Sequence, residues 1–142
     1  LEKKSKKSGI CYKDSTVISE EECRRLLDGD FAVLKEKGDP LSLELYAKIY
    51  YQQLRPKNIV DYMREAYVYP VGNVRVTLDY DIRTSLSVHN FLKAEPTPIP
   101  IPGLYILEVK YDSFLPEIIR SVVALSGRMS TSFSKYAATR II

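Results

Sequence analysis

Apolar residues recur at helical spacing in three stretches of the chain and at every second position in several others. Ser19 followed by Glu20, Glu21 and Glu22 reads as an N-cap with a capping-box glutamate at the third helical position. Cys23, Leu26 and Leu27 supply the apolar face of that helix, and Gly29 ends it. A second helix is predicted from Leu41 to about Leu54, with Leu41, Leu45 and Ile49 on one row and Leu43, Tyr46 and Tyr50 on the next. Asp39-Pro40 starts it and Arg55-Pro56 stops it. A third is predicted to begin at Pro116, a residue suited to the first helical position, and to run to Gly127.

Strands are predicted between these helices. Residues 58–69 and 74–80 flank Pro70-Val71-Gly72-Asn73, a turn sequence. Residues 104–111 form another strand, after a connector, Pro96–Pro102, that should be extended and poor in ladder bonds because proline has no N–H to donate. Alternation along a strand assigns each side chain to a face. Tyr62 and Arg64 share one. Arg75, Thr77 and Asp79 share another, opposite Val74, Val76 and Leu78. Glu108 and Lys110 stand opposite Leu107 and Val109, and Glu2, Lys4 and Lys6 lie together at the start.

The chain has 142 residues, 45% apolar and 27% charged, the profile of one globular domain. No apolar run is long enough to span a bilayer. The net charge is only +3, yet Lys3, Lys4, Lys6 and Lys7 crowd the first ten residues against Glu2 alone. Such a cluster suits a polyanionic partner or a solvated tail. Cys11 and Cys23 form no disulfide framework and read as free thiols in a reducing compartment. One histidine, His89, leaves little room for a histidine zinc site or a Ser-His-Asp triad.

Charged strand faces are ordinarily the wet side of an open sheet. Here they are mostly Arg, Lys and Glu, while the apolar helix faces need something to cover. Helices packed outside a closed or strongly curved sheet would leave the charged faces within. Unpaired buried charge is too costly for a packed core, so such an interior needs water and a charged ligand. Cations beside a few carboxylates suit a polyphosphate with a divalent metal.

At these residues the chain resembles the vacuolar transporter chaperone (VTC) polyphosphate polymerase domain of the triphosphate tunnel metalloenzyme, or CYTH-like, superfamily, and its bacterial members in particular. The matching stretches are Leu1–Lys7, Glu22–Asp30, Leu54–Tyr67, Asn73–Arg83, Ile106–Pro116 and Ser134–Tyr136, in the family's order. The fold class implied is α+β, an antiparallel β-tunnel with a polar interior and helices outside. Residues 1–142 are then the C-terminal portion of one such domain. The chain opens inside a strand, without the family's earlier R-x-R strand, so an incomplete barrel and an inactive fragment are expected.

The resemblance also implies site residues. Arg64, Arg75 and Lys135 would be catalytic. Phosphate would be held by Lys4 of an E-x-K element, Lys13 of the next strand, Tyr62 and Arg64 of Y-x-R, Arg75 of R-x-T-x-D, Lys110, and Ser134 and Lys135 of S-K-Y. Glu108 of L-E-x-K would take Mn²⁺ or Mg²⁺. The implied activity is transfer of the ATP γ-phosphate to a growing inorganic polyphosphate chain in the cytoplasm or at the cytoplasmic face of a membrane, with a membrane-protein partner reached through the parent protein. A metal-dependent triphosphate hydrolase and a non-catalytic polyanion-binding module are the alternatives. Nucleic acid is disfavoured, because several of the 11 tyrosines sit at helical core spacing instead of forming stacking platforms. Lys3 and Lys7 should face outward. Arg128 and Arg140 are left between the tunnel mouth and the solvated end, and Asp79 between a metal and a tunnel arginine.

Overall fold

A computed structural model describes residues 1–8, 10–127 and 129–140. The chain divides into two compact units, Leu1–Lys57 and Asn58–Ile142.

The first unit opens with an antiparallel hairpin, β1 (Glu2–Lys7) and β2 (Ile10–Ser15), in which Lys4 stands opposite Lys13 and Lys3 opposite Asp14. Three helices follow: α1 (Glu20–Leu27), α2 (Ala32–Lys37) and α3 (Pro40–Tyr51). The capping box on α1 forms as predicted. Ser19 Oγ accepts from the Glu22 N–H at 3.1 Å, and Glu22 Oε2 accepts from the Ser19 N–H at 2.7 Å. Asp39 Oδ1 accepts from the amides of Leu41 and Ser42, and Pro40 occupies the first turn of α3, where its missing N–H costs nothing. Val33, Leu34 and Ile49 form the buried core, with Leu26, Phe31, Leu45 and Tyr46 packed around it. Each fully buried aliphatic chain contributes about 1.5–3 kcal/mol. The helix α2 was not anticipated. Lys3, expected to face outward, instead reaches Glu44 on α3 at 2.7 Å, because alternation turns it to the face opposite Lys4.

The second unit is built on β3 (Ile59–Tyr69), β4 (Val74–Ser85), β5 (Ile99–Pro100) and β6 (Ile106–Lys110). All pairings are antiparallel, and β4 is central, joined to β3 on one side and to β5 and β6 on the other. Between β3 and β4 the chain reverses through a turn with Gly72 at φ 78°. A Cβ there would lie 2.8 Å from the carbonyl oxygen of Phe114, so both the backbone angle and the space demand glycine. A register shift between Asp61 and Met63, with Asp81 at φ 46°, bulges the far end of the pair.

Two helices complete this unit, α4 (Glu117–Val123) and α5 (Lys135–Ala138). The helix α4 stops four residues before the expected Gly127, and Pro116 is its N-cap, not its first residue. Ile118 and Val122 of α4 stay exposed, so these residues do not cover the sheet as anticipated. The proline-rich connector contributes only Ile99–Pro100 to a ladder, at an edge where proline is tolerated. The fold is thus mixed, with antiparallel sheets. Among the described residues the sheets stay open: β3 and β6 each pair on one side only, and a barrel closes only when every strand pairs on both.

Candidate functional site

Strand register brings several charged side chains of the second unit onto one face of its sheet. Arg64 of β3 stands opposite Asp79 of β4, which stands opposite Ile106 of β6. Two residues along, Ala66, Thr77 and Glu108 are aligned, and two further along, Val68, Arg75 and Lys110. Residues directly opposite one another point to the same face, as do those two apart on one strand. Arg75 and Glu108 therefore share the face that carries Arg64.

At the centre is Asp79, fully buried. Arg64 Nε and Nη2 donate to its Oδ1 and Oδ2 at 2.6 and 2.7 Å, a bidentate pair. Lys135 Nζ reaches Oδ2 at 2.6 Å from α5. Tyr62 lies against both cations, its ring centroid 5.2 Å from the Arg64 guanidinium carbon and 4.8 Å from Lys135 Nζ. The Arg64 hydrogen bonds hold the Asp79 carboxyl down at about 2, against the burial that opposes them and with Lys135 assisting. The Arg64 guanidinium is pushed up by the same bonds. The sequence left Asp79 between a metal and an arginine; it lies on the arginine.

Around this centre, Lys110 Nζ lies 3.3 Å from Glu108, an exposed pair of little worth to stability. Arg75 is exposed and makes no ion pair among the described residues. Ser134 Oγ is the N-cap of α5 and accepts from the Ala137 N–H at 3.2 Å, which sets the orientation of Lys135 one residue on. The face thus carries four cations, Arg64, Arg75, Lys110 and Lys135, against the carboxylates of Asp79 and Glu108. Arg140 lies over the Tyr136 ring, and Arg128 is outside the described residues.

Lys4 and Lys13 belong to the first unit. They are directly opposite on the exposed face of the hairpin, and Glu2 engages Lys13 at 2.6 Å. Two lysines paired across strands repel one another, a cost that a bound anion would relieve.

One contact that fixes the site had no sequence signal. Asn58 Nδ2 donates to the buried Thr139 Oγ1 at 2.7 Å, tying α5 to the start of β3. Another buried hydroxyl, Thr77 Oγ1, has no hydrogen-bond partner and sits opposite Glu108. Among the described residues no helix is long and apolar enough to cross a membrane, and no group of three or more His, Cys, Asp or Glu side chains could hold a metal unaided.

The fold and the face together define an α+β domain that gathers Arg and Lys from separate strands and a helix. The family model for the VTC domain matches residues 1–141, and the chain belongs to that family. No curated protein and no solved structure matches it. Membership points to a function connected with polyphosphate.

Proposed function

We propose that this VTC domain is a polyphosphate polymerase, which moves the γ-phosphoryl group of ATP onto the end of an inorganic polyphosphate chain. The observation that carries the reading is the convergence of Arg64, Arg75, Lys110 and Lys135, from three strands and a helix, on one sheet face with Glu108 among them. A terminal phosphate oxygen of the chain forms the new bond to the γ-phosphorus while the bond to the β–γ bridging oxygen breaks and ADP departs. The attacking oxygen is already an anion, so no general base is needed, and positioning with charge neutralisation is the protein's task.

Arg64, Arg75 and Lys135 would neutralise the phosphoryl oxygens, with Lys110 and Ser134 beside them and Tyr62 donating a hydrogen bond. Lys4 and Lys13 would hold another stretch of the polyanion. In the tunnel reading, the cations of the second unit line one wall of a basic channel.

The donor set suits a divalent ion. Asp79 is occupied by two cations, but Glu108 and the unpartnered Thr77 hydroxyl stand side by side across the ladder. Mg²⁺ is ordinarily held by one or two carboxylates together with substrate phosphates and water, and Glu108 can be that carboxylate for Mg²⁺ or Mn²⁺. Such an ion would neutralise charge on the bridging phosphates. A cytoplasmic setting accords with the free thiols of Cys11 and Cys23. A membrane-protein partner would come through the parent protein.

Incubation of the full-length protein with ATP and MnCl₂, followed by electrophoresis, tests the reaction. Long phosphate chains are expected. Orthophosphate alone would make it a triphosphate hydrolase, and polyphosphate binding without turnover a non-catalytic polyanion module.

A further inference from the structure

The Asp79 carboxylate takes up two of the cations that phosphate would otherwise meet. A buried acid in a polyanion site looks counterproductive, since it repels the ligand. The geometry shows what it does instead. Asp79 holds the Arg64 guanidinium by its Nε–Nη2 edge. A guanidinium carries five N–H donors in a rigid plane. With that edge occupied, the remaining donors, including the Nη1–Nη2 edge, are turned away from the carboxylate in one fixed plane. That edge presents two parallel donors, the pattern that matches two oxygens of one phosphate.

Lys135 is fixed by the same anion. It spends one N–H on Asp79 Oδ2 and keeps two, and its ammonium is held 4.8 Å from the Tyr62 ring. The side chains of Arg64 and Lys135 are 39% and 22% exposed while Asp79 is inaccessible, so the cations lie between the carboxylate and solvent. We infer that Asp79 is the positioning residue of the phosphate site: it touches no ligand, but locks Arg64 and Lys135 into one preformed two-cation receptor for adjacent phosphates of a chain. The inference rests on the polyphosphate reading and adds a role for an acidic residue within it.

Two explanations of Asp79 give opposite signs. If the carboxylate merely tempers the positive charge, Asp79→Asn should tighten binding of tripolyphosphate, because the face gains a unit of charge. If it positions, Asp79→Asn frees Arg64 and Lys135 and should weaken binding by roughly tenfold or more despite that gain. Calorimetric titration of the 142-residue chain with sodium tripolyphosphate separates the two, with Asp79→Glu, which keeps the charge, restoring part of the loss.

A second measurement needs no variant. The Arg64 Nε–H should give a distinct, slowly exchanging ¹⁵N resonance that persists when tripolyphosphate saturates the protein. Its loss on saturation would show that phosphate displaces Asp79, and would overturn the inference even if Asp79→Asn did not fold. Equal or tighter binding by a folded Asp79→Asn would overturn it too. Failure of the unaltered protein to bind tripolyphosphate would instead strike the polyphosphate reading itself, and the inference with it.

Discussion

Arg64 and Asp79 face each other across β3 and β4 with both carboxylate oxygens engaged, and the acid, held by Arg64 and Lys135, is wholly removed from water. Desolvating a carboxylate costs several kcal/mol, and only close cations offset that cost. The arrangement ties stability to pH. The folded-state pKa is depressed from 3.8 to about 2, chiefly by the Arg64 hydrogen bonds. As pH falls, the unfolded chain therefore takes up the proton first. The contribution is full above about pH 5, on the order of 2 kcal/mol, and is lost as pH falls through about 4 towards 2. Urea unfolding midpoints of the native protein and Asp79→Asn should be far apart at neutral pH and converge only as pH falls to about 2 and below. A gap that is independent of pH would show that the ion pair contributes nothing through its charge.

Arg75→Glu reverses an exposed charge at the rim of the same face. Its stability cost should be within about 0.5 kcal/mol, as for most surface positions. Affinity for tripolyphosphate should nonetheless fall markedly, and the deficit should narrow as salt is raised and screening grows. Equal titration curves for both proteins at low salt would make Arg75 an ordinary solvated strand residue.

Gly72→Ala probes the turn that sets the β3–β4 register. The substitution meets a positive φ and a carbonyl oxygen 2.8 Å from the new Cβ. Both are backbone constraints that no side-chain rotation relieves, so a loss of about 1–3 kcal/mol is expected. A urea midpoint unchanged from the native protein would refute the assignment of Gly72 to a demanding turn.

What could be read from the residues alone was local. Ser19 with Glu22, and Asp39 with Pro40, carry their helix starts in their own side-chain chemistry, and both caps formed. Alternation along β4 and β6 placed Arg75, Thr77, Asp79 and Glu108, because a period of two needs no partner to be assigned. What depends on a partner was hidden. Lys3 turns to Glu44, 41 residues away. The bulge at Asp61 and Met63, with Asp81 at a positive φ on the partner strand, is a property of the pairing and not of either strand read alone. The short α2 carries two of the three core residues in six positions, too few for a helical period to show. The pairing of Asp79 with both Arg64 and Lys135 joins residues 56 apart at its widest, and spacing alone could not specify it.

The link between Asn58 and Thr139 carries that remoteness furthest, and it makes the last prediction. Thr139 Oγ1 is buried, accepts from Asn58 Nδ2 and donates to the Tyr136 carbonyl at 3.0 Å, closing the end of the helix that begins with Lys135. Thr139→Val keeps the shape and removes the hydroxyl. It leaves Asn58 Nδ2 without this acceptor, and the Asn58 Oδ1 is already buried without a partner. A donor left unsatisfied costs about 1–3 kcal/mol when fully buried and less in a part-buried contact such as this one, so the urea midpoint should fall. With its anchor gone, α5 should hold Lys135 less firmly, and tripolyphosphate affinity should fall several-fold while the Arg64 Nε–H resonance persists. Thr139→Ser, which restores the hydroxyl, should recover both. If Thr139→Val is destabilised yet binds tripolyphosphate as tightly as the native protein, α5 does not need this tether to deliver Lys135.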